Sequence, residues 1–270
     1  MGLTIHYRLS FEGTASAALK AVSDLRAEAL DLPLIEVSDV VRFKGDEADY
    51  NKSSQDDEFR WLKIQAGEHV DVTPASMKGA GREIRQYVIP TEIIAFSTYP
   101  GYGCEEANFG LCRYPKTIID SESGKRIRTG LKEWSWKSFC KTQYANSPEA
   151  GGLPNFLKCH LSVIYLLDKA KDMGLLLEVS DEGDFYEDRN VQALAEEVEE
   201  WDIMMAGLLT AISGAVPEGV GLEMAIGNRS DTELLQNKAR LESLLTGTDH
   251  SREAIKEAVL LLSSLVQKNE

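Results

Sequence analysis

The sequence predicts an α+β fold: a ferredoxin-like split β-α-β core with an extended, mostly antiparallel sheet, followed by a C-terminal helical hairpin. Two observations carry this reading. The segment Leu34-Ile-Glu-Val-Ser-Asp39 follows one helical pattern, and Leu176-Leu-Glu-Val-Ser-Asp181 follows another, each leading into an acidic turn. Two β-α-β units around one sheet give the split arrangement. Between them lie short β-branched and aromatic runs separated by turn residues, which extend that sheet or form a second one.

The elements follow in order. Leu3, Ile5, Tyr7 and Leu9 alternate with Thr4, His6 and Arg8, the period of a half-buried strand. Thr14 or Ser16 can cap a helix whose stripe is Leu19, Val22, Leu25, Ala29 and Leu32, with Pro33 ending it. Residues 34–43 read as a second strand and 45–58 as an acidic loop. Residues 59–72 lie between strand and helix patterns and are assigned to strand; 73–81 are a loop. A strand over 87–99 is interrupted at Pro90. Short strands follow at 109–114, 117–120 and 134–144. Phe156, Cys159, Val163, Leu166, Leu167 and Ala170 mark a helix over 156–173, closed by Gly174. A strand at 175–179 completes the second unit.

Beyond it the pattern is helical. Val191, Leu194, Val198, Trp201, Met205 and Leu208 form one stripe. Residues 214–229 are rich in Gly and Pro and read as a linker. Ser230 and Glu233 form a capping box opening a helix to Leu245. Ile255, Ala258, Val259, Leu262, Leu265 and Val266 define the last helix. The expected division is a body over 1–213, a linker over 214–229 and a hairpin appendage over 230–270.

The chain has 270 residues, with 44 acidic against 29 basic side chains. Such an acidic balance repels phosphate, so no nucleic-acid partner is expected. The cluster Lys125, Arg126 and Arg128 beside Gly124 reads as an exposed hairpin tip. No apolar run is long enough for a membrane span, and the opening MGLTIHYRLS lacks the pattern of a secretory signal. A cytoplasmic protein with reduced thiols is expected.

The chemistry-bearing residues concentrate in 93–160. The string GYGCEEANFGLCRYP at 101–115 reads as a shaped loop. Its glycines free the backbone, while Glu105, Asn108 and Arg113 supply acceptors and donors for a small polar or anionic ligand. The alternative is a well-packed hairpin. His6 and Arg8 share one face of the first strand. Glu178 and Ser180 are expected opposite them, making a candidate anion or acid-base site; the alternative is an internally paired polar face. Cys104, Cys112, Cys140 and Cys159, with His160 as an added donor, are candidate zinc ligands. Their spacing fits no zinc motif, so buried thiols acting as small hydrophobes are preferred. For thiol catalysis, Glu105 and Glu106 are expected to raise the Cys104 pKa, and a cysteine–histidine pair with His6 or His160 stays open. The acidic runs 46–57 and 181–188 read as solvated loops rather than cation sites. Trp134 and Trp136 share a strand face, read as core packing.

The segments MGLTIHY, GCEEANFGLCRYP and WSWKSFCKTQYA resemble those of a bacterial protein family of unknown function. The resemblance covers about the first 210 residues and leaves the terminal hairpin as a variable addition. It implies a bacterial cytoplasmic setting and carries no catalytic residues over. Two functional expectations result. One is a ligand-binding or enzymatic domain with its site near 101–115. The other is a non-enzymatic assembly protein, including a homo-oligomer, built through the C-terminal helices.

Overall fold

In the first strand, β1 (Thr4–Phe11), Ile5, Tyr7 and Leu9 are buried while His6 is exposed, the alternation read from the sequence. The computed structural model describes residues 3–72, 84–119, 124–131, 133–198 and 252–266. After β1 come α1 (Ala15–Leu30), β2 (Glu36–Val37), β3 (Val41–Lys44), α2 (Arg60–Gln65), β4 (Glu68–Val72) and β5 (Ile84–Val88). Next are β6 (Glu92–Tyr99), β7 (Ala107–Arg113), β8 (Thr117–Ile119), β9 (Arg126–Arg128) and β10 (Trp134–Lys141). Then come α3 (Gly152–Asp172), β11 (Leu176–Asp181), α4 (Phe185–Asp188), helical residues 191–198 and a terminal helix, Arg252–Val266, with short 3-10 turns between some elements.

The main sheet runs β11-β1-β10-β7-β6-β2, with β3 also on β6, and every pairing is antiparallel. The protein is therefore α+β with a large antiparallel sheet. Strands β10 and β11 lie on either side of β1, both antiparallel to it, and α3 connects them. Two small hairpins stand apart, β4 with β5 and β8 with β9.

Local signals placed the helices. Thr14 Oγ1 accepts from the Ala17 amide at 3.2 Å, so of the two candidate caps, Thr14 and Ser16, the threonine caps α1. Ala18, Val22, Leu25 and Ala29 form its buried stripe. Gly174 closes α3 at φ 82°, a conformation that favours glycine. Helix α3 is buried nearly all round, because the sheet lies on one side and the terminal helix packs on another through Ile255, Ala258, Val259 and Leu262. Burying each such Val, Leu or Ile contributes about 1.5–3 kcal/mol. Trp134 and Trp136 are core residues, as expected. Tyr7, Phe109 and Phe96 stack in series across the sheet, with ring centroids 5.3 and 5.6 Å apart.

The structure corrects several boundaries. Residues 59–72 are the short helix α2 and then β4. The predicted strand 34–43 breaks into β2 and β3, both laid on β6. The string 101–115 is a loop only at its start, since 107–113 form the buried strand β7. The 73–81 loop, the 214–229 linker and the helix expected over 230–245 lie outside the described residues.

Strands β7 and β10 pair at Trp134–Arg113 and Ser135–Cys112 and at no further register positions. Where that ladder stops, the Asn108 carbonyl accepts instead from Tyr7 Oη at 2.8 Å and Trp136 Nε1 at 2.7 Å. Gln65 of α2 spans the same opening. It accepts from Asn108 Nδ2 at 2.8 Å and donates to Ser138 Oγ at 2.8 Å. Side chains thus satisfy polar groups that the ladder leaves, as buried backbone requires.

Candidate functional site

The 101–106 loop leaves β6 and crosses toward the N-terminal half of α3. Glycine is required at two of its positions. A Cβ on Gly101 would fall 2.5 Å from Cys159 Sγ, and Gly103 has φ 78° with its hydrogen facing the Tyr144 carbonyl. Asn155 Nδ2 holds the loop down, donating to Tyr102 O at 2.9 Å and Ala145 O at 3.1 Å. The Glu105 amide donates to Lys141 O at 2.9 Å, tying the loop to the end of β10.

These contacts bring together three cysteines far apart in sequence. Cys104 on the loop, Cys140 on β10 and Cys159 on α3 gather there: Cys104 Sγ lies at Gly101 O, Cys159 Sγ beside Gly101 and Cys140 Sγ at Glu105 O, close enough for their thiols to influence one another. Cys104 is partly open to solvent, while Cys140 and Cys159 are buried. As neutral thiols they have separate acceptors: Gly101 O for Cys104 at 2.9 Å, Glu105 O for Cys140 at 3.2 Å and Asn155 Oδ1 for Cys159 at 3.7 Å. When Cys104 ionises, the other two thiols can turn their hydrogens to it. Hydrogen bonds from Cys140 and then Cys159 hold the Cys104 thiol well below the ordinary value, against its partial burial, with the Lys158 ammonium assisting. Cys140 is pushed up first by its bond to Cys104 and then by burial; Cys159 is pushed up first by burial. The trio therefore contains one acidic thiol and two proton-holding ones. The expected effect of Glu105 and Glu106 on Cys104 is reversed, because both carboxylates are exposed and the neighbouring thiols dominate.

The four-cysteine zinc set is not assembled. Cys112 lies on β7 opposite Ile93 and Ser135, its thiol beside Tyr114 and pushed up by burial. Among the described residues, no group of three or more His, Cys, Asp or Glu side chains is arranged to hold a metal ion.

The predicted polar-ligand residues separate. Asn108 is 2% exposed and engaged with Gln65. Arg113 is half-exposed and donates to Glu133 at 2.8 Å. Glu105 is an exposed loop residue bonded through its backbone. The register does set His6 opposite Ser180 and Arg8 opposite Glu178, as expected. Arg8, however, pairs with Glu68 of β4 at 2.8 Å, and exposed His6 lies against Phe139. His6, Asn108 and Arg113 thus contact separate partners, Phe139, Gln65 and Glu133.

His160 has no cysteine partner; it sits in an array that sequence reading missed. Its Nδ1 is 3.1 Å from Thr142 Oγ1 and its Nε2 is 3.0 Å from Asp181 Oδ2. Asp181 also accepts from the Gly183 and Tyr186 amides, each at 3.0 Å. Burial pushes the Asp181 carboxyl up, but His160 and these amides outweigh it and leave it below the ordinary value. The order hydroxyl–imidazole–carboxylate resembles a proton relay. Thr142 and His160 are fully buried, so no substrate reaches it, and it joins β10, α3 and β11 structurally. The only advance signal was a polar residue on the apolar stripe of α3.

A groove of about 400 Å³ lies near β3 and α2, lined by Arg42, Asp46, Lys52, Asp57 and Lys63 among others. Its charges neutralise one another: Arg42 pairs with Glu92 beside it, Lys52 with Asp46, and Lys63 with Asp57 at 2.7 Å.

Comparisons with protein-family models, curated proteins and solved structures found no match. The fold and the thiol trio define an α+β protein with a candidate cysteine site. Among the described residues, no helix is long and apolar enough to cross a membrane.

Proposed function

We propose that this chain is an enzymatic α+β domain acting on a small molecule, with its site at the 101–106 loop and Cys104 as the nucleophile. One observation carries the reading: a partly open thiol on a loop that also gathers two buried thiols, with Gly101 packed against Cys159 and Glu105 O accepting from Cys140. Only the thiolate attacks an electrophile, and a lowered pKa maintains it near neutral pH. The ferredoxin-like description of the core belongs to the same proposal. Its support is the order β11-β1-β10-β7 with α3 linking the two strands that flank β1. The assembly alternative is weaker, because Ile255, Ala258, Val259 and Leu262 of the terminal helix are already buried within the chain.

The test is the pH dependence of alkylation by iodoacetamide, read at each cysteine by peptide mass spectrometry. The expected result is rapid modification of Cys104 whose rate is already level between pH 6 and 8, with Cys140 and Cys159 slow. A Cys104 rate rising tenfold per pH unit through that range, as for an ordinary thiol near pKa 8.5, overturns the proposal. So does an unreactive Cys104 in folded protein.

A further inference from the structure

We propose, resting on the reading of Cys104 as nucleophile, that the site reduces hydroperoxides, with Cys140 as the thiol that resolves oxidised Cys104. The trio holds more thiols than a simple nucleophilic site needs, and they are divided by access. Cys104 is partly open to solvent, whereas Cys140 and Cys159 are each 0% exposed and lie beside the same loop, Cys140 Sγ at Glu105 O and Cys159 Sγ at Gly101. An open thiol over a shielded one is the arrangement by which a dithiol gives two electrons to an oxidant and then closes on itself. The backbone favours Cys140 as the partner. The segments carrying Cys104 and Cys140 are already joined by the Glu105 amide to Lys141 O at 2.9 Å and by Cys140 Sγ to Glu105 O at 3.2 Å. Cys159 instead belongs to a helix and bonds within its own turn to Asn155.

The Lys158 ammonium packs with the loop and the Cys159 thiol. A Cβ on Gly101 would come within 2.5 Å of Cys159 Sγ and 3.0 Å of Lys158 Nζ, and Lys158 is itself 6% exposed. A peroxide presents a two-atom electrophile to such a site, and the ammonium offsets the negative charge passing from sulfur to oxygen.

The chemistry balances in two steps. The Cys104 thiolate attacks the terminal peroxide oxygen. An S–O bond forms, the O–O bond breaks, and the departing alkoxide or hydroxide takes a proton from solvent, leaving as alcohol or water. Sulfur is oxidised by two electrons and the peroxide is reduced by two. Cys140 then attacks Cys104 Sγ. The S–S bond forms, the S–O bond breaks, and the leaving hydroxide takes the Cys140 proton and departs as water. An external thiol reductant returns the disulfide to the dithiol.

The experiment uses the reduced full chain and hydrogen peroxide. Peroxide consumption is followed together with intact mass and non-reducing peptide maps. The expected product has lost two hydrogens and contains the Cys104–Cys140 linkage. Cys104→Ser and Cys104→Ala should consume peroxide at the buffer rate. In Cys140→Ser or Cys140→Ala, whichever retains native circular dichroism, Cys104 should accumulate as a sulfenic acid trapped by dimedone. A Cys104–Cys159 linkage overturns the assignment of Cys140. Rapid iodoacetamide alkylation of Cys104 with neither disulfide nor trapped sulfenic acid overturns peroxide reduction and leaves the nucleophile reading standing. Loss of alkylation as well removes both.

Discussion

His160 Nε2 and Asp181 Oδ2 are 3.0 Å apart, and neither side chain is exposed to solvent. The contact joins the middle of α3 to the end of β11, so it fixes how the crossover seats on the sheet. Asp181→Ala would leave His160 and two amides without their acceptor. Breaking such a buried pair costs about 3–5 kcal/mol, and urea unfolding of the variant should show a loss of that size. A loss under ~1 kcal/mol, the range of an exposed pair, would mean that water replaces the carboxylate.

The same carboxylate makes stability acid-sensitive. Its pKa in the folded chain lies below the ordinary 3.8. The unfolded state therefore binds the proton more readily. The contribution of Asp181 is fully present above the ordinary value and is lost as pH falls through the lowered one. Denaturant titrations from pH 7 down to 2 should show stability declining below about pH 4, with a shallower decline in Asp181→Ala. Parallel declines would assign the acid response to other carboxylates.

Gly101→Ala tests whether loop position controls the thiols. The added methyl group would overlap Cys159 Sγ and approach Asn155 Oδ1 at 2.8 Å. The loop or α3 must yield, separating Cys104 from its two donors. If the thiol returns toward its ordinary value, past about 7, alkylation of Cys104 at pH 6 should slow about tenfold or more, because about a tenth or less is then thiolate, while the Cys104 rate at pH 10 is nearly unchanged. An unaltered rate at both pH values would show that the loop does not set the thiol's acidity.

Asn108 and Arg113 are neighbours in sequence but should differ in consequence. Asn108→Ala removes the donor to Gln65 in the gap between β7 and β10, a part-buried bond from a buried side chain, whose loss costs about 1–3 kcal/mol. Arg113→Ala removes an ion pair whose side chains are 47% and 51% exposed. Such a surface pair contributes about 0–1 kcal/mol. Thermal and urea unfolding of both variants measures the contrast, and equal losses would contradict this account.

That contrast also marks what the sequence could reveal. The alternation in β1, the Thr14 cap and the stripe of α3 follow from neighbouring residues, and they were readable. The α+β class and the pairing of β1 with β11 followed from their order. The site was only half legible. Its loop was located, but the string around Asn108 was assigned to a ligand-binding loop, whereas Asn108 lies in β7, which runs through the sheet interior. Nothing local distinguishes a polar residue that meets a ligand from one that meets Gln65. The thiol trio depends on a loop, a strand and a helix converging, which cysteine spacing does not encode. The division of roles was missed for the same reason: Glu105 and Glu106 are close in sequence but face solvent, while Cys140 and Cys159 are distant in sequence and gather at the same loop as Cys104.

The gap between β7 and β10 supplies the last prediction. The Asn108 carbonyl has two side-chain donors, Tyr7 Oη and Trp136 Nε1. Burial pushes the Tyr7 phenol far above its ordinary value, so it stays protonated and donating at any pH the fold tolerates. Tyr7→Phe keeps the ring stacked on Phe109 and removes one donor. The carbonyl still has the indole, so the loss should be that of one ordinary hydrogen bond, about 0.5–1.5 kcal/mol. Trp136→Phe removes the other donor and also leaves a space, which adds a packing loss. Combining the two leaves a buried carbonyl without either side-chain donor, at a further cost of about 1–3 kcal/mol. The double variant should therefore lose more stability than the two single losses added together. Urea unfolding of all four proteins tests this. Strict additivity would mean that water enters the gap and takes the place of the missing donors.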